Sequence, residues 1–280
     1  MNHKSTCSMP GRNLCAPNGK VSALFIDLDG TVMVCDPYFE QARARFGYLM
    51  KLHGFDSEEA IKLCKGLYMR NMKVHGVERD QLALAMEEAY KTLCRSHKGA
   101  KRMKPAQEVL GMCRDIGNSP FFREPEVFPS ALSVLNRARH NFLLIGVTMG
   151  NREAQKYKIS QSGLFLDHFI ITPFDNKRER VAELILDLNI DPNHSAFIGN
   201  SAQSDGQCIS ETNVVLVPFE KGVFDKDDTP TSDKYTFMRV RDWRDAEERA
   251  IMRLVRRRDR AAQVLEAAQS SKCARCRPEQ

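Results

Sequence analysis

The chain has 280 residues, of which 42% are hydrophobic and 28% charged, proportions close to those of ordinary globular domains. No segment approaches the roughly 18 consecutive apolar residues of a membrane span, which argues against an integral membrane protein. The formal net charge is +6, yet residues 251–280 carry eight Lys and Arg against three Asp and Glu, a net +5. The body of the protein is therefore nearly neutral, and its C-terminal segment is basic.

The first 20 residues are polar and rich in Pro, Gly and Asn, without the apolar stretch of a secretory signal, and they predict a disordered leader. The chain holds nine cysteines. Several of them, such as Cys64 and Cys94, lie within apolar helical patterns rather than at the spacing of a disulfide framework. This favours a reduced, cytoplasmic compartment.

The first regular element is predicted at residues 21–28, where the apolar run VSALFIDL precedes Asp-Gly and is typical of a buried strand followed by a turn. From residue 37 onward, apolar residues recur at spacings of three and four in three successive segments, with Gly54 and Gly76 as stops. Residues 37–118 are therefore predicted to form an all-helical domain inserted directly after the first strand.

The rest of the chain alternates strands with helices. Strands are predicted at 141–148, 167–173, 195–200, 212–218 and 235–240. Helices are predicted at 129–140, 151–163, 177–190, 203–210 and 243–269. This alternation predicts a doubly wound, mostly parallel α/β sheet built from residues 21–36 and 119–250, followed by a basic helix and tail at 251–280.

The inserted helices leave and re-enter this sheet at the carboxyl end of its first strand. Open α/β sheets bind ligands in the crevice at that edge. Residues 37–118 are therefore expected to form a helical cap that acts as a lid over the crevice.

Polar residues lie at or just after the predicted strand ends. A carboxylate inside a sheet is tolerated only when it is paired or bound to a metal. Asp27 and Asp205, with a main-chain oxygen of the first loop, supply the hard oxygen ligands that Mg²⁺ prefers. The sequence therefore predicts a magnesium site at the carboxyl edge of the sheet.

The sequence also predicts a binding site for a phosphoryl group beside that metal. Thr148 and the main-chain amides of Met149 and Gly150 can donate hydrogen bonds to phosphate oxygens, and Lys177 adds a positive charge. Gln155 and Lys158, on the following helix, are expected to be solvated, with a position facing the site as the alternative.

Four motifs carry a resemblance to a known family: DLDGT, VTMGN, the lone Lys177 at the head of a helix, and GNSAQSD. In this order they resemble the motifs of the haloacid dehalogenase-like hydrolases, over residues 21–218. The Asp-x-Asp-Gly-Thr form is similar to the phosphatase and phosphotransferase branches, since the dehalogenases lack the second Asp. The resemblance implies an α/β core with a helical cap and a small phosphorylated substrate.

The same resemblance implies roles for individual residues. Asp27 would be the nucleophile that forms an aspartyl-phosphate, and Asp29 the acid for the leaving group and then the base for water. Asp27, the main-chain carbonyl of Asp29 and Asp205 would bind Mg²⁺, while Thr148 and Lys177 would bind the phosphoryl group. Asn200 stands where the family often has Asp; its amide oxygen can ligate or orient the metal but adds no charge.

Two other functions stay open. A phosphotransferase or mutase would use the same nucleophile and differ in excluding water. A regulatory phosphate-binding protein would keep the site without turnover and use its basic tail. Within that tail, residues 253–260 favour a packed helix with a solvated arginine face over contact with nucleic acid or an acidic partner.

Overall fold

The computed structural model describes residues 11–76, 78–96, 103–172, 176–209, 212–216 and 237–275. Six parallel strands form one sheet in the order β3-β2-β1-β4-β5-β6. The strands are β1 (Ala23–Ile26), β2 (Leu143–Met149), β3 (His168–Thr172), β4 (Ala196–Gly199), β5 (Asn213–Leu216) and β6 (Phe237–Val240). The predicted doubly wound parallel sheet is confirmed, and its strand order reverses direction between β1 and β4, where such sheets bind ligands.

Core helices cover the two faces of the sheet. They are α5 (Ala131–Ala138), α6 (Arg152–Ser162), α7 (Lys177–Asp187), α8 (Trp243–Ala246) and α9 (Met252–Arg275). Successive residues of β1 point to opposite faces, so Leu24 packs with Trp243 and Leu254 on one side, whereas Phe25 packs with Val181 on the other. Both faces of the first strand are thus buried, which fixes the position of the loop that follows it.

In the described residues between β1 and α5, four further α-helices precede a short 3-10 helix at Ser119–Phe122: α1 (Asp36–Leu52), α2 (Ser57–His75), α3 (Gln81–Ser96) and α4 (Gln107–Asn118). Their apolar faces form a hydrophobic cluster of their own. Gly117 allows α4 to approach α3 closely, since a Cβ there would lie 2.4 Å from the Cα of Ala83. We call these four helices the cap.

Residues 11–20 differ from the predicted leader because they pack onto the core. Leu14 is fully buried, Cys15 and Val21 form an antiparallel bridge, and the guanidinium of Arg12 binds both carboxylate oxygens of Asp167 at 2.6 and 2.8 Å. Apolar burial and a bidentate ion pair order this segment. The rest of the predicted leader, residues 1–10, lies outside the described residues.

The basic helix also differs from its prediction. Residues 243–275 are helical, with a π-helical turn at Glu247–Ile251. Arg258 is buried rather than solvated. Its guanidinium donates to the main-chain oxygens of Asn13 and Asn141 at 2.7 and 2.9 Å. One arginine of the run is therefore structural, and contact of residues 253–260 with a nucleic acid or an acidic partner stays the less favoured alternative.

Two other predicted elements need comment. Residues 203–209 form consecutive turns instead of the short helix predicted at 203–210. The strand predicted at 212–218 is observed over Asn213–Leu216, and residues 217–236, with the start of the last predicted strand, lie outside the described residues.

The cysteines differ in their oxidation state. Among the residues that the structure describes, five cysteines are free: Cys35, Cys64, Cys94, Cys113 and Cys208. Cys15 is disulfide-bonded, which differs from the fully reduced chain expected from the sequence. In the part of the chain that the structure describes, no helix combines the length and apolarity needed to cross a membrane.

Candidate active site

The predicted site residues converge at the carboxyl edge of the central strands. Asp27 directly follows β1, and Lys177 is the first residue of α7. Asp205 lies in the turns after β4, folded back toward the end of that strand. Parallel strands bring their carboxyl ends to one edge, so residues far apart in sequence meet there.

Lys177 joins the two carboxylates of this edge. Its Nζ lies 2.5 Å from Oδ1 of Asp27 and 2.8 Å from Oδ1 of Asp205. All three side chains are buried, with relative exposures of 4% for Asp27, 4% for Lys177 and 0% for Asp205. We call these three residues the Lys177 cluster; it holds two acids and one base.

Burial and the second carboxylate of the cluster perturb the pKa of Asp27. Burial raises the pKa of Asp27 to about 7, with Lys177 opposing the rise and Asp205 adding to it. Burial alone would lower the pKa of Lys177, but the two carboxylates more than offset this and raise it well above its usual range. Lys177 is therefore charged, and the cluster holds one carboxylate more than it has cations, so Asp27 is only partly ionised near neutral pH.

Asp205 is held by four donors. Its Oδ2 accepts from the main-chain nitrogens of Asn200 and Ser201, both at 3.1 Å. Its Oδ1 accepts from Lys177 and, at 3.1 Å, from the hydroxyl of Ser204. The carboxylate lies against Gly199, where a Cβ would sit 2.3 Å from the Asp205 carboxyl carbon. Asp205 thus shapes the loop after β4 and positions Lys177.

Asp29 occupies a different environment, two residues from Asp27. Its Oδ1 lies 2.6 Å from Nζ of Lys158, and its Oδ2 accepts from Nε2 of Gln155 at 2.6 Å. The same Gln155 nitrogen donates to the main-chain oxygen of Met149 at 2.9 Å. Asp29 is thus paired with Lys158 and held in place by Gln155.

The surroundings of Asp29 shift its pKa in the opposite direction to that of Asp27. Burial would raise the pKa of Asp29, but Lys158, together with the hydrogen bond from Gln155, lowers it. Burial likewise opposes the charge of Lys158, whose pKa Asp29 raises. Asp29 is therefore ionised and Lys158 is protonated. The expectation that Gln155 and Lys158 are solvated is wrong, because the face of α6 that carries both turns toward the site.

Thr31 connects Asp27 to Asn200. Its hydroxyl donates to Oδ2 of Asp27 at 2.8 Å and lies 3.4 Å from Oδ1 of Asn200. Asn200 approaches so closely that a Cβ on Gly30, whose φ is +81°, would lie 2.3 Å from its amide nitrogen. The indole of Trp243, the first residue of α8, donates to the main-chain oxygen of Thr31 at 2.9 Å and so supports the loop.

The oxygens around Thr31 are of the kind that can bind a divalent cation. In the described residues no cluster of three His, Cys, Asp or Glu side chains is positioned to hold a metal ion. Oδ2 of Asp27 and Oδ1 of Asn200 nevertheless lie around the same Thr31 hydroxyl, and both are hard oxygens of the kind Mg²⁺ binds. With the additional carboxylate of the Lys177 cluster, these residues fit a magnesium ion. Each oxygen of Asp27 accepts one hydrogen bond, whereas each oxygen of Asp205 accepts two.

The predicted phosphate-binding residues lie at the end of the neighbouring strand. Thr148 is buried and follows Gly146, the partner of Ile26 in the register of β1 with β2, by two residues. Its hydroxyl lies 3.3 Å from the main-chain oxygen of Met149. Gly150 has a φ of +121°, a conformation that L side chains rarely adopt. These residues turn the chain from β2 into α6 beside Asp27.

Comparison with known proteins gives a result at the level of structure. No protein-family model and no curated protein matches the sequence. A haloacid dehalogenase-like family hydrolase from Xanthomonas campestris superposes with a TM-score of 0.68 at 19% identity, covering 89% of this chain and 98% of its own.

Two more distant structures have different activities in their names. A phosphatase of the same superfamily from Thermococcus onnurineus has a TM-score of 0.50 and 15% identity, covering 81% of this chain and 97% of its own. A defluorinating L-2-haloacid dehalogenase has a TM-score of 0.51 and 15% identity, covering 84% and 98%. The sheet, the inserted helices and these superpositions agree: the chain has the fold of the haloacid dehalogenase-like hydrolases.

Proposed function

We propose that the protein is a hydrolase of small phosphomonoesters that works through a phosphorylated aspartate. The observation that carries the proposal is the Lys177 cluster, in which a buried lysine holds Asp27 at 2.5 Å directly beneath the loop that carries Asp29. A carboxylate fixed at the end of a strand, with a permanent positive charge beside it, is equipped to attack phosphorus and to stabilise the charge of the phosphoryl group.

Asp29 supports phosphoryl rather than haloacid chemistry. An alkoxide leaving group needs a proton, whereas a halide does not. The ion pair of Asp29 with Lys158 at 2.6 Å holds one transferable proton on the lysine. We therefore assign the role of the acid to the pair: Lys158 carries the proton and donates it to the leaving oxygen, an alkoxide being the stronger base, and Asp29 holds the ammonium in place.

Magnesium would be held by Asp27 and Asn200, with the main-chain carbonyl of Asp29 as the predicted third ligand. When bound, the ion supplies Lewis-acid stabilisation of the phosphoryl oxygens. Asp205 acts beside this site by fixing Lys177 and the loop at residues 199–201. Thr148 and Gly150 are assigned to the phosphoryl group itself.

The cap contributes by closing the crevice. Asn151, which caps the N-terminus of α6, donates from Nδ2 to the carboxylate of Glu78 at 2.8 Å. This contact joins the segment before α3 to the loop after β2. Release of the contact would open the site to substrate, and its formation would exclude bulk water.

Hydrolysis of p-nitrophenyl phosphate with and without Mg²⁺ tests the proposal. The wild-type protein is expected to release nitrophenol only with the metal, and Asp27→Asn is expected to lose at least about 10³-fold in kcat, as for removal of a covalent nucleophile. Asp187→Asn is a matched control, because Asp187 is an exposed aspartate of α7. Equal rates in the wild-type and Asp27→Asn proteins would contradict the proposal.

Parallel assays separate the other functions. Release of chloride from 2-chloropropionate without phosphate release would replace the proposal with dehalogenation. Transfer of the phosphoryl group to an added alcohol without net phosphate release would indicate a phosphotransferase. Tight phosphate binding without turnover would indicate the regulatory alternative.

A further inference from the structure

A groove with a volume of about 350 Å³ lies between α2 and α3 of the cap. This volume falls in the range of small-molecule sites. The lining includes Arg70 and His75 of α2 and Gln81, Glu87, Glu88 and Lys91 of α3. None of these residues belongs to the candidate active site, so the groove is a separate cavity with a polar lining of its own.

Two polar residues of the groove are more than nine-tenths buried. Gln81 and Glu87 are each 6% exposed. Nε2 of Gln81 donates to Oδ1 of Asp80 at 2.9 Å, while its Oε1 has no partner among the residues that the structure describes. Oε1 of Glu87 accepts from Nε of Arg114 at 2.8 Å, whereas its Oε2 lies 3.6 Å from Nζ of Lys91, beyond hydrogen-bond range. Buried polar atoms are normally hydrogen-bonded, so the groove holds acceptors that lack a donor.

The same groove also carries positive charge. Arg70 is exposed and has no ion-pair or hydrogen-bond partner in the described part of the chain. Glu88 lines the groove with it but binds Arg95 at 3.1 Å, and Lys91 has the 3.6 Å ion pair with Glu87. A guanidinium offers five N–H donors, in a geometry that matches the two oxygens of a carboxylate. A cation suited to a carboxylate therefore lines the same groove as the buried acceptors.

We propose that this groove binds a small zwitterion, of which an α-amino acid is the simplest example. The carboxylate of the ligand pairs with Arg70 and Lys91. Its ammonium has three N–H donors and donates to Oε2 of Glu87 and Oε1 of Gln81. Binding of this ligand does not depend on the proposed activity of the protein.

The charges of the lining favour a zwitterion over a simple ion. Arg70 and Lys91 balance Glu87 and Glu88, so the groove is neutral apart from His75. A dianion would lie against the two glutamates, and a dication would lie against the arginine and the lysine. Such contacts between like charges are strongly unfavourable. A ligand with one charge of each sign can pair both of its charges with groups of opposite sign.

The groove ends at the turn that joins the cap to the core. His75 is the last residue of α2, and Gln81 is the first residue of α3. Glu78, between them, accepts the hydrogen bond from Asn151 of the core at 2.8 Å. A ligand in the groove lies against both ends of this turn and restricts the segment that makes the contact between cap and core. Occupancy of the groove is therefore expected to favour the closed cap.

Titration calorimetry with the full chain tests the inference. The probes are a panel of L-α-amino acids at millimolar concentrations, each compared with its deaminated acid and its decarboxylated amine. At least one amino acid is expected to bind about 10-fold or more tightly than either of its analogues, the strength of a hydrogen bond to a charged group. Equal affinity for an amino acid and its deaminated acid, or no binding by any member of the panel, would overturn the inference.

Substitutions on the two helices locate the bound ligand. Arg70→Gln is expected to weaken binding of the amino acid about 10-fold or more, and Glu87→Gln is expected to remove its advantage over the deaminated acid. Lys73→Gln is the matched control, because Lys73 is an exposed cation of α2 that does not line the groove. Thermal unfolding is measured for each variant, and the exposed position of Arg70 makes its substitution compatible with folding. A loss in Arg70→Gln no larger than that in Lys73→Gln would contradict the proposed site.

Amide hydrogen exchange gives a readout that does not depend on the variants. With the amino acid bound, exchange is expected to slow in peptides that cover residues 78–91, which include the turn with Glu78 and the α3 side of the groove. Protection confined to other parts of the chain would place the ligand outside the groove and refute the inference.

Discussion

Asp27 and Asp29 are two residues apart, yet their environments have opposite charge balances. Asp27 shares one lysine with Asp205, and its pKa is raised to about 7 by burial and by that second carboxylate. Asp29 has Lys158 to itself and a hydrogen bond from Gln155, and its pKa is lowered in spite of burial. Asp27 and Asp205 share the single cation of Lys177, so their site can accept a further cation. Asp29 and Lys158 balance each other and form a neutral ion pair.

This difference follows from the elements that supply each lysine. Lys177 heads α7 and reaches the end of the central strand, where both carboxylates are buried. Lys158 lies in the second half of α6 and meets Asp29 in the loop, where the Asp29 side chain keeps an exposure of 26%. A buried cluster with shared charge depends on all its members, whereas a partly hydrated pair tolerates the loss of one.

The largest effect is expected for Lys177→Met. Removal of the ammonium leaves two adjacent carboxylates buried without a cation, which is expected to cost about 3–5 kcal/mol in the free energy of unfolding. Urea unfolding at pH 8 measures the loss, with Lys65→Met as an exposed control. A loss no larger than that of the control would show that Asp27 and Asp205 do not depend on Lys177.

A second effect is expected for Lys158→Met and depends on the leaving group. Removal of the proton source is expected to lower kcat for an alkyl phosphate about 10²-fold, the usual size of general acid catalysis. The effect on p-nitrophenyl phosphate is expected to be much smaller, because nitrophenolate leaves without a proton. Lys156→Met, on the exposed side of α6, is the matched control. Equal losses for both substrates would contradict proton donation by Lys158.

A smaller effect on the free energy of unfolding is expected for the ion pair of Arg12 with Asp167, which lies away from the candidate active site. Burial opposes the ionisation of Asp167, but its bidentate bond to Arg12 lowers its pKa below the ordinary value of 3.8. The stabilisation is therefore present above pH 3.8 and is lost as the pH falls through the lowered pKa. Arg12→Met is expected to cost about 1–2 kcal/mol at pH 7.

Urea unfolding from pH 7 down to pH 2 measures this dependence. The difference between the wild-type and Arg12→Met proteins is expected to shrink toward zero at the acidic end. A difference that stays constant across this range would show that Arg12 acts through packing rather than through the charge of Asp167.

The sequence predicted the Lys177 cluster because each of its members follows a strand, and the ends of parallel strands meet at one edge. It did not predict the position of Lys158, because the rotation of α6 about its axis depends on packing. Arg258 was missed for a related reason: its partners are main-chain oxygens at Asn13 and Asn141, distant in the sequence and recognisable only when the chain is folded.

The short helix predicted at 203–210 failed for a chemical reason. The Asp205 carboxylate accepts hydrogen bonds from the main-chain nitrogens of Asn200 and Ser201. Such bonds from an Asp side chain to nearby main chain compete with helix formation. The hydrogen bonds that hold Asp205 beside Lys177 therefore also explain why this segment forms turns instead of the predicted helix.

The central claim, that Asp27 is a nucleophile and Asp29 is not, is tested most directly by trapping the intermediate. The wild-type protein is mixed with Mg²⁺ and a phosphomonoester, quenched, and reduced with borohydride, which converts an aspartyl-phosphate to homoserine. Peptide mass spectrometry is expected to find homoserine at position 27, with Asp29 unchanged. Reduction at position 29, or none at all in a protein that turns over the same substrate, would contradict the assignment.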